Sequence, residues 1–226
     1  MPKNPRTPAE VEAFREKILE QAMDLISRKG FEGFSMRKLS LGLGIAAKTI
    51  YNYYKNKDEL YLAILTKGFN RLHRQCARAM DAHALPMDRM EAMVLAFLDF
   101  GLREANSYNL MFTWHVPKYN DYVGSDMEPV ALVELQAAMR VVDLFIEAIR
   151  DCASPGRMMP EQDARIIMIS FFTRLHGFIA SHNNTLLQYM HSSPLDLIPA
   201  VREQIKEEFA RNLEKFQVPE RSVSTS

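Results

Sequence analysis

Apolar side chains near the end of the sequence recur at the spacing of a helix. They follow one another at intervals of 3, 4, 4, 4 and 3 residues: Ile198, Val201, Ile205, Phe209, Leu213 and Phe216. This spacing places them on one face of a helix. Sustained two-residue alternation, Asn-Gly turns and Asp-Gly turns are absent from the sequence, which has only nine glycines. Because these are the usual signals of strands and hairpins, the sequence predicts an all-α fold.

Prolines, glycines and polar segments divide the rest of the sequence into further helices. Thr7 and Pro8 are suited to begin the first helix, Gly30 to end it, and Ser35 to cap the second. Gly44 favours a left-handed turn after the second helix. The predicted helices lie at about residues 8–29, 35–43, 46–54, 58–81, 87–104, 106–115, 128–152, 160–182 and 194–216.

The composition is that of a globular protein in a reducing compartment. Hydrophobic residues occupy 47% of the 226 positions, which is too many for a disordered chain. The two cysteines, Cys76 and Cys152, lie far apart and no signal peptide follows Met1, so we predict no disulfide framework. The longest apolar run, residues 166–172, is much shorter than the about 18 residues of a membrane-spanning helix. We therefore expect a soluble, cytoplasmic protein.

Charge is distributed unevenly along the chain, although the net charge is zero. Up to Lys57 there are eleven basic and six acidic side chains, a net charge of +5, which leaves 17 basic and 22 acidic side chains, or −5, for the remainder. Between Lys38 and Lys57 there are four lysines and no acid. A polyanion would bind this part of the chain first, although a solvated helical face explains the same charges equally well.

Two short predicted helices, joined by a tight turn at Gly44, describe a helix-turn-helix. Leu39, Ile50 and Tyr54 can point inward, and the small Ser40 allows the two helices to approach closely. The side chains that then point outward are mostly polar or basic: Ala47, Lys48, Thr49, Tyr51, Asn52 and Tyr53. In a helix-turn-helix the second helix lies in the major groove of DNA.

This region resembles the TetR family of transcriptional regulators. The resemblance covers the segments Gly30-Phe31-Glu32-Gly33-Phe34-Ser35-Met36-Arg37-Lys38-Leu39-Ser40, Gly44-Ile45 and Thr49-Ile50-Tyr51-Asn52-Tyr53-Tyr54-Lys55-Asn56-Lys57-Asp58-Glu59-Leu60. It implies a TetR-like architecture, with a three-helix DNA-binding domain at residues 1–57 and a larger helical domain for ligand binding and dimerisation at residues 58–218. Residues 219–226 are predicted to form a disordered tail.

The resemblance also implies which residues contact DNA. They are Ser35, Arg37, Ala47, Lys48, Thr49, Tyr51, Asn52, Tyr53 and Lys57. Ser35, Thr49, Tyr51 and Lys57 would bind phosphates, and Arg37 would reach a phosphate or a guanine edge. For Tyr54 packing is the better interpretation. Ala46 departs from the family pattern, because a Ser or Thr cap is usual there, and Lys48 replaces a small residue or proline.

Large, adaptable apolar side chains in the later helices suit a ligand pocket, although each of them also fits an ordinary core. The resemblance places the ligand between these helices, and a short match at Leu175-His176-Gly177 resembles one carboxy-terminal subgroup. Tyr108 and Arg174 are further polar candidates for contact with a ligand. The predicted ligand-binding residues are Met93, Phe97, Met111, Phe112, Trp114, His115, Met139, Phe172 and His176.

These features predict a dimeric repressor that binds a palindromic DNA operator and is released by a small, largely apolar effector. The effector would shift the long fourth helix and change the spacing of the recognition helices. A TetR-type activator, a regulator without ligand and a helical protein-interaction module with a basic patch remain alternatives. Hydrolase, metalloprotease, phosphate-loop and Cys-x-x-Cys motifs are absent from the sequence, so we expect no enzymatic activity, no cofactor and no metal.

Overall fold

The computed structural model describes residues 7–154 and 157–216, and its regular structure is helical throughout that part of the chain. The α-helices are α1 (Pro8–Gly33), α2 (Met36–Leu43), α3 (Ala47–Tyr51), α4 (Lys57–Asp81), α5 (Pro86–Arg103), α6 (Ala105–Tyr108), α7 (Glu128–Asp151), α8 (Glu161–Asn183) and α9 (Ile198–Leu213). A π-helix at Asn109–Thr113 continues α6, and short 3₁₀ turns occupy Tyr119–Tyr122, Leu186–Tyr189, Pro194–Leu197 and Glu214–Phe216. The all-α prediction is confirmed.

Helix α1 begins as predicted but extends four residues further. Thr7 and Glu10 form a reciprocal capping box at its start. Gly30 interrupts the helix, as predicted, because its backbone angles of φ 70° and ψ 167° are not helical. A short helical stretch that was not predicted follows it and ends at Gly33. This stretch buries Phe31, whose ring lies 4.7 Å from that of Tyr61 on α4.

Three other predicted helices differ from the structure. The third helix is shorter than residues 46–54, because the N–H groups of Tyr53 and Tyr54 both donate to the carbonyl of Ile50 and close the helix with a turn. The predicted helix at 106–115 is split into α6 and the π-helix. In the final helical segment a 3₁₀ turn precedes α9, and only the later positions of the apolar stripe are buried: Ile205, Phe209, Leu213 and Phe216.

The described chain packs as two compact units. Unit 1 contains the residues up to Arg71 together with Asn106–Ala138, and unit 2 contains Leu72–Ala105 and the residues from Met139 onward. The core of unit 1 includes Ile18, Ile26, Leu39, Ile50, Leu60 and Tyr61. The core of unit 2 includes Met93, Phe100, Phe145, Ile149, Leu175 and Ile179. The domain boundary at residue 57 stays a prediction, and the predicted tail at 219–226 lies outside the described residues.

No helix in the described part of the chain combines the length and the hydropathy that crossing a membrane requires.

Candidate functional site

The turn between α2 and α3 is built from local sequence signals. Ser35 caps α2, and its hydroxyl accepts a hydrogen bond of 3.2 Å from the N–H of Lys38. Gly44 ends α2 in the left-handed conformation, with φ 65° and ψ 33°, which is favourable for glycine and costly for most other residues. The N–H of Ile45 then donates to the carbonyl of Ser40 at 3.0 Å. The chain therefore turns sharply into α3.

Close packing fixes the two helices against each other. Leu39 and Ile50 are fully buried. Ser40 is only 4% exposed, and its hydroxyl donates to the carbonyl of Arg37 at 2.9 Å, so its burial leaves no unpaired polar group there. Leu43 and Ile45 are partly buried. Helices α2 and α3 therefore form one rigid helix-turn-helix.

The residues predicted to contact DNA differ in their exposure. Arg37, Lys48 and Asn52 are exposed, and Tyr51 is 49% exposed. Ser35, Ala47, Thr49, Tyr53 and Lys57 are half-buried. The structure thus presents a charged and polar surface along α3 and the start of α2.

Aromatic packing fixes the end of the helix-turn-helix against α1. The ring of Tyr53 lies 5.3 Å from that of Phe14, so Tyr53 is partly held by α1. Tyr54 is buried, as predicted, with the guanidinium of Arg15 5.3 Å from its ring centre. Burial raises the pKa of Tyr54, which keeps this hydroxyl neutral.

Helix α3 begins without a side-chain cap. Ala46 occupies the N-cap position, and no side-chain hydrogen bond is made there, as its departure from the family pattern predicted. A Ser or Thr at this position would accept a hydrogen bond from a free N–H of the first turn. The five-residue α3 therefore depends on packing, chiefly of the buried Ile50.

The start of α4 carries the last predicted DNA contact. Lys57 is the first residue of α4, and its ammonium lies 3.8 Å from the ring centre of Phe31, which is a cation–π contact. The side chain of Asn56 accepts a hydrogen bond of 2.8 Å from the N–H of Glu59, and the carboxylate of Glu59 accepts one from the N–H of Lys55. These contacts cap α4 and hold Lys57 beside the helix-turn-helix.

Polar contacts connect the first half of α4 to the segment after the π-helix. Tyr61 donates to the carbonyl of Pro117 at 3.0 Å, and Tyr122 donates to Asp58 at 3.2 Å. Lys118 donates to the carbonyl of Met111 at 3.1 Å. Glu134 is buried, which raises its pKa, while the positive charge of Lys118 lowers it. Sequence reasoning missed this cluster, because residues 117–126 have no pattern beyond that of a polar loop.

The predicted ligand contacts in unit 1 surround the π-helix. Met111 is buried, Phe112 and Trp114 are half-buried, and His115 is exposed. The ring of Phe112 lies 5.6 Å from that of Phe69 and 4.9 Å from that of the buried Tyr108.

Glycine at position 68 makes room for Met111. A Cβ atom at Gly68 would lie 2.7 Å from the sulfur of Met111, which is far closer than carbon and sulfur atoms pack. The small residue on α4 therefore allows the methionine to fill this space.

Two buried polar atoms of the π-helix have no hydrogen-bond partner among the described residues. They are Oδ1 of Asn109 and Oγ1 of Thr113. Neither residue was predicted as a site residue, because a lone Asn and a lone Thr in a helical segment give no signal in the sequence.

Three of the predicted ligand contacts in unit 2 are aromatic side chains in consecutive contact. Phe97 lies 6.0 Å from Phe172, and Phe172 stacks on His176 with 5.7 Å between ring centres. Burial lowers the pKa of His176, which favours the neutral imidazole. Met93 is fully buried and Met139 is half-buried.

Another polar candidate of unit 2 is held by its neighbours. Arg174 forms an ion pair of 2.6 Å with Glu208 and donates to Gln204 at 3.3 Å, both on α9. This pairing explains Arg174 as a contact between α8 and α9. A cavity of about 70 Å³ lies elsewhere in unit 2 between α5, α8 and α9. Its lining combines apolar residues, such as Met90 and Phe171, with charged ones, such as Glu91 and Arg202.

No group of three or more potential metal ligands occurs among the described residues. Both cysteines are buried, and burial raises the pKa of each thiol to about 12. These thiols are therefore protonated at neutral pH and poor nucleophiles.

Comparison with known families agrees with this geometry. A sequence model described as "Bacterial regulatory proteins, tetR family" matches residues 18–64, which include the helix-turn-helix. A second, described as "Tetracyclin repressor-like, C-terminal domain", matches residues 90–198. The chain belongs to the TetR family of transcriptional regulators. The TetR-like fold, with an amino-terminal helix-turn-helix and a helical remainder, is therefore confirmed.

Curated relatives of this TetR-family chain are themselves regulators of transcription. It is 25% identical over 155 residues to the activator FasR of Mycolicibacterium smegmatis, covering 69% of this chain and 65% of FasR. It is 31% identical over 80 residues to the repressor KstR of Mycobacterium tuberculosis, covering 35% of this chain and 36% of KstR. The chain thus matches less than two thirds of the length of either relative.

A solved structure of similar fold contains both a small-molecule ligand and operator DNA. The crystal structure of AibR in complex with isovaleryl coenzyme A and operator DNA has a TM-score of 0.56 and 21% sequence identity, covering 71% of this TetR-family chain and 83% of AibR. At this identity the similarity establishes the fold alone.

Proposed function

We propose that this protein is a DNA-binding transcriptional regulator that acts in the cytoplasm as a homodimer on a palindromic operator. The observation that carries this proposal is the rigid helix-turn-helix, on which Arg37, Lys48, Tyr51 and Asn52 are exposed. The net charge of +5 up to Lys57 favours binding to a polyanion.

The proposed contacts divide into backbone and base contacts. Ser35, Thr49, Tyr51 and Lys57 bind phosphate oxygens, which position the protein without reading sequence. Arg37 reaches a phosphate or a guanine edge, and Lys48, Asn52 and Tyr53 reach bases in the major groove or the adjoining phosphates. The complete proposed DNA-binding set is Ser35, Arg37, Ala47, Lys48, Thr49, Tyr51, Asn52, Tyr53 and Lys57.

An exposed face of α8 supports the proposed dimer. Ile166 and Ile169 are 59% and 50% exposed, although they belong to one of the most apolar helices. Further along the same helix, a Cβ atom at Gly177 would meet no atom within 4 Å, so a second helix can approach closely. A second copy that covers this face would present two recognition helices, whose spacing of about 34 Å or slightly more matches a two-fold symmetric operator.

We propose that a small, largely apolar effector controls DNA binding. The proposed ligand contacts are Met93, Phe97, Met111, Phe112, Trp114, His115, Met139, Phe172 and His176. The adaptable methionines of both units support an apolar ligand. The AibR structure contains isovaleryl coenzyme A, which supports control by an effector, although its coenzyme part is large and anionic. Repression is the proposed mode, as in KstR, and FasR, an activator, makes activation the competing mode. The effector must bind the state with low DNA affinity more tightly, or no release follows.

Selection of bound fragments from the native genome tests this function. We expect the full-length protein to enrich fragments that contain two inverted half-sites, to protect both from cleavage, and to lose affinity steeply as salt rises. An Arg37→Ala variant should bind these fragments weakly, while Arg103→Ala, which removes an exposed arginine of α5 in unit 2, should bind them normally. Binding without sequence preference would contradict the proposal and favour an interaction module with an acidic partner.

A further inference from the structure

A cavity of about 70 Å³ in unit 2 lies between one face of α5 and one face of α9. Met90 and Val94 line it from α5, and Ile205 and Phe209 line it from α9. The two residues of each pair are four positions apart, so they share a helix face. Phe171 of α8 also lines the cavity, and all five side chains are buried. The inner wall of the cavity is therefore hydrophobic.

Charged side chains line the outer part of the same cavity. They are Asp88 and Glu91 of α5 and Arg202 and Lys206 of α9. Asp88, Arg202 and Lys206 are exposed and Glu91 is half-buried, so this set lies nearer to solvent than the apolar wall. The guanidinium of Arg202 forms an ion pair with Glu91, which joins the two helices beside the cavity.

Lys206 differs from the other charged residues of the cavity. Arg202 and Glu91 neutralise each other. Asp88 lies in the first turn of α5, where the positive end of the helix stabilises an acidic side chain. The ammonium of Lys206, in contrast, forms no hydrogen bond or ion pair with any residue in the described part of the chain. The charges of the cavity therefore favour an anion as its ligand.

Arg202 can donate hydrogen bonds to the same anion. A guanidinium carries five N–H donors, and Glu91 contacts Nε and Nη2. The N–H groups of Nη1 can therefore donate to a second acceptor. Lys206 follows Arg202 by four residues, so both cations lie on one face of α9. Two neighbouring cations suit a carboxylate, which accepts several charge-assisted hydrogen bonds.

The volume of the cavity limits the apolar part of the ligand. An apolar cavity of about 150 Å³ accommodates benzene, a ring of six carbons. The cavity of about 70 Å³ therefore leaves room for about three carbons. Because an unfilled apolar cavity lowers stability in proportion to its volume, a hydrocarbon tail that fills this space would bind favourably.

We propose that this cavity binds a short aliphatic carboxylate with about four carbons, such as butyrate. The hydrocarbon tail fills the space between Met90, Phe171 and Phe209. The carboxylate accepts hydrogen bonds from the ammonium of Lys206 and from Nη1 of Arg202, which keeps its ion pair with Glu91 on the opposite edge of the guanidinium.

This site is separate from the residues that carry the proposed function. None of the residues proposed to bind DNA or the effector lines the cavity. Butyrate binding can therefore be measured without DNA, and its failure would leave the proposed regulator intact. Loss of operator binding would likewise leave this site intact.

Methionine methyl groups can report on the site directly, because Met90 lines the cavity. We expect butyrate, added at constant ionic strength to the full-length protein with ¹³C-labelled methionine methyl groups, to shift the Met90 signal until it saturates. The loss of this signal in Met90→Leu identifies it, and Met139, which does not line the cavity, is the internal reference. A Met90 signal that does not respond, or that shifts no more than that of Met139, would overturn the proposal.

Analogues of butyrate test the carboxylate and the tail separately. Butan-1-ol and butylammonium keep a hydrocarbon tail of similar length, and acetate keeps the carboxylate. We expect each to bind about tenfold more weakly than butyrate, since each lacks either the charge-assisted hydrogen bonds or the tail. Equal binding of butan-1-ol, or tighter binding of butylammonium, would show that the cavity does not recognise a carboxylate.

Lys206→Gln tests the cation. It should weaken butyrate binding about tenfold and leave the midpoint of thermal unfolding unchanged. Arg211→Gln is the matched control, because it removes another exposed cation of α9 that does not line the cavity, and it should bind butyrate as the wild type does. If Lys206→Gln bound butyrate as tightly as Arg211→Gln, the assignment of Lys206 would be wrong.

Val94→Ile tests the position of the tail. The variant adds one carbon to the cavity wall, so it should bind propionate more tightly than butyrate, whereas the wild type should prefer butyrate. A general loss of stability would weaken both acids and would not reverse their order. If Val94→Ile kept the preference of the wild type, the tail would lie outside the cavity and the proposal would fail.

Discussion

Polar side chains of the helix-turn-helix in unit 1 and of the helices in unit 2 differ in the contacts that they make within the fold. On α2, on α3 and directly after α3, Arg37, Lys48 and Asn52 are exposed. On α8 of unit 2, the exposed Arg174 forms an ion pair with Glu208, and the half-buried His176 stacks on Phe172. Exposed side chains of the first kind are the better candidates for binding a partner, whereas the ion pair and the stacking already explain those on α8. Mutations should therefore affect DNA binding in the first region and stability in the second.

The largest effect is expected for Phe97→Ala in unit 2. This change removes a ring that contacts Phe145 and Phe172 and should lower the free energy of unfolding by about 3–5 kcal/mol. Tyr51→Ala on the exposed face should change it by no more than about 0.5 kcal/mol. Urea unfolding followed by circular dichroism measures both free energies. Similar losses of stability in the two variants would contradict the proposed difference between the two regions.

Unlike Phe97→Ala, Arg37→Ala should weaken DNA binding and leave the stability of the fold unchanged. We expect operator binding to weaken by about 1–3 kcal/mol, as for other arginines that contact bases or phosphates, with the thermal midpoint unchanged. Fluorescence anisotropy with a labelled operator gives the affinity. Thermal destabilisation of this variant would show that Arg37 supports the fold and is not available for DNA.

Lys48→Ala should affect operator and non-operator DNA alike. Loss of one phosphate contact lowers the slope of log affinity against log salt concentration by about one unit. Arg103→Ala is the matched control, because it removes an exposed positive charge from unit 2. An unchanged slope for Lys48→Ala would contradict its role as a phosphate ligand.

Ala46→Ser should stabilise the helix-turn-helix without adding a DNA contact. The new hydroxyl can accept a hydrogen bond at the uncapped start of α3 and should add about 0.5–1 kcal/mol to the free energy of unfolding. Ala46→Val, which provides no acceptor, is the control. A gain that is equal in both variants would mean that the missing cap costs this protein nothing.

The smallest effect concerns pH and belongs to unit 2. Burial lowers the pKa of His176, so the unfolded chain binds the proton more readily than the folded one. Wild-type stability should therefore begin to fall as pH drops below about 6.5, the usual histidine pKa. His176→Phe keeps the ring stacking and should lose less stability between pH 7 and 5. The exposed His83 is the control: if His83→Phe had the same effect, burial would not be the cause.

Local signals in the sequence were sufficient for the helix-turn-helix. Ser35, Ser40 and Gly44 determine a cap, a close approach and a turn through neighbours only a few residues away. Their structural roles, and the missing cap at Ala46, could therefore be predicted from the sequence. Whether the exposed side chains bind DNA as predicted is left to the variants above.

Long-range packing decided the features that the sequence did not reveal. A short helical stretch follows Gly30, and its Phe31 packs against Tyr61 on another helix. The π-helix coincides with the fit of Met111 above Gly68, two residues that are distant in the sequence. Asn109 and Thr113 are unusual only because their buried atoms lack partners, and no sequence pattern reports such a lack.

The contact between Lys57 and Phe31 orders a positive charge in the free protein. A cation–π contact of this kind is worth about 0.5–2 kcal/mol, and it limits the freedom of a long, flexible side chain. An ammonium has three N–H donors, so one of them remains available to a phosphate while the ring stays in contact. If Lys57 binds phosphate as proposed, part of the conformational entropy lost on binding is therefore already lost in the free protein.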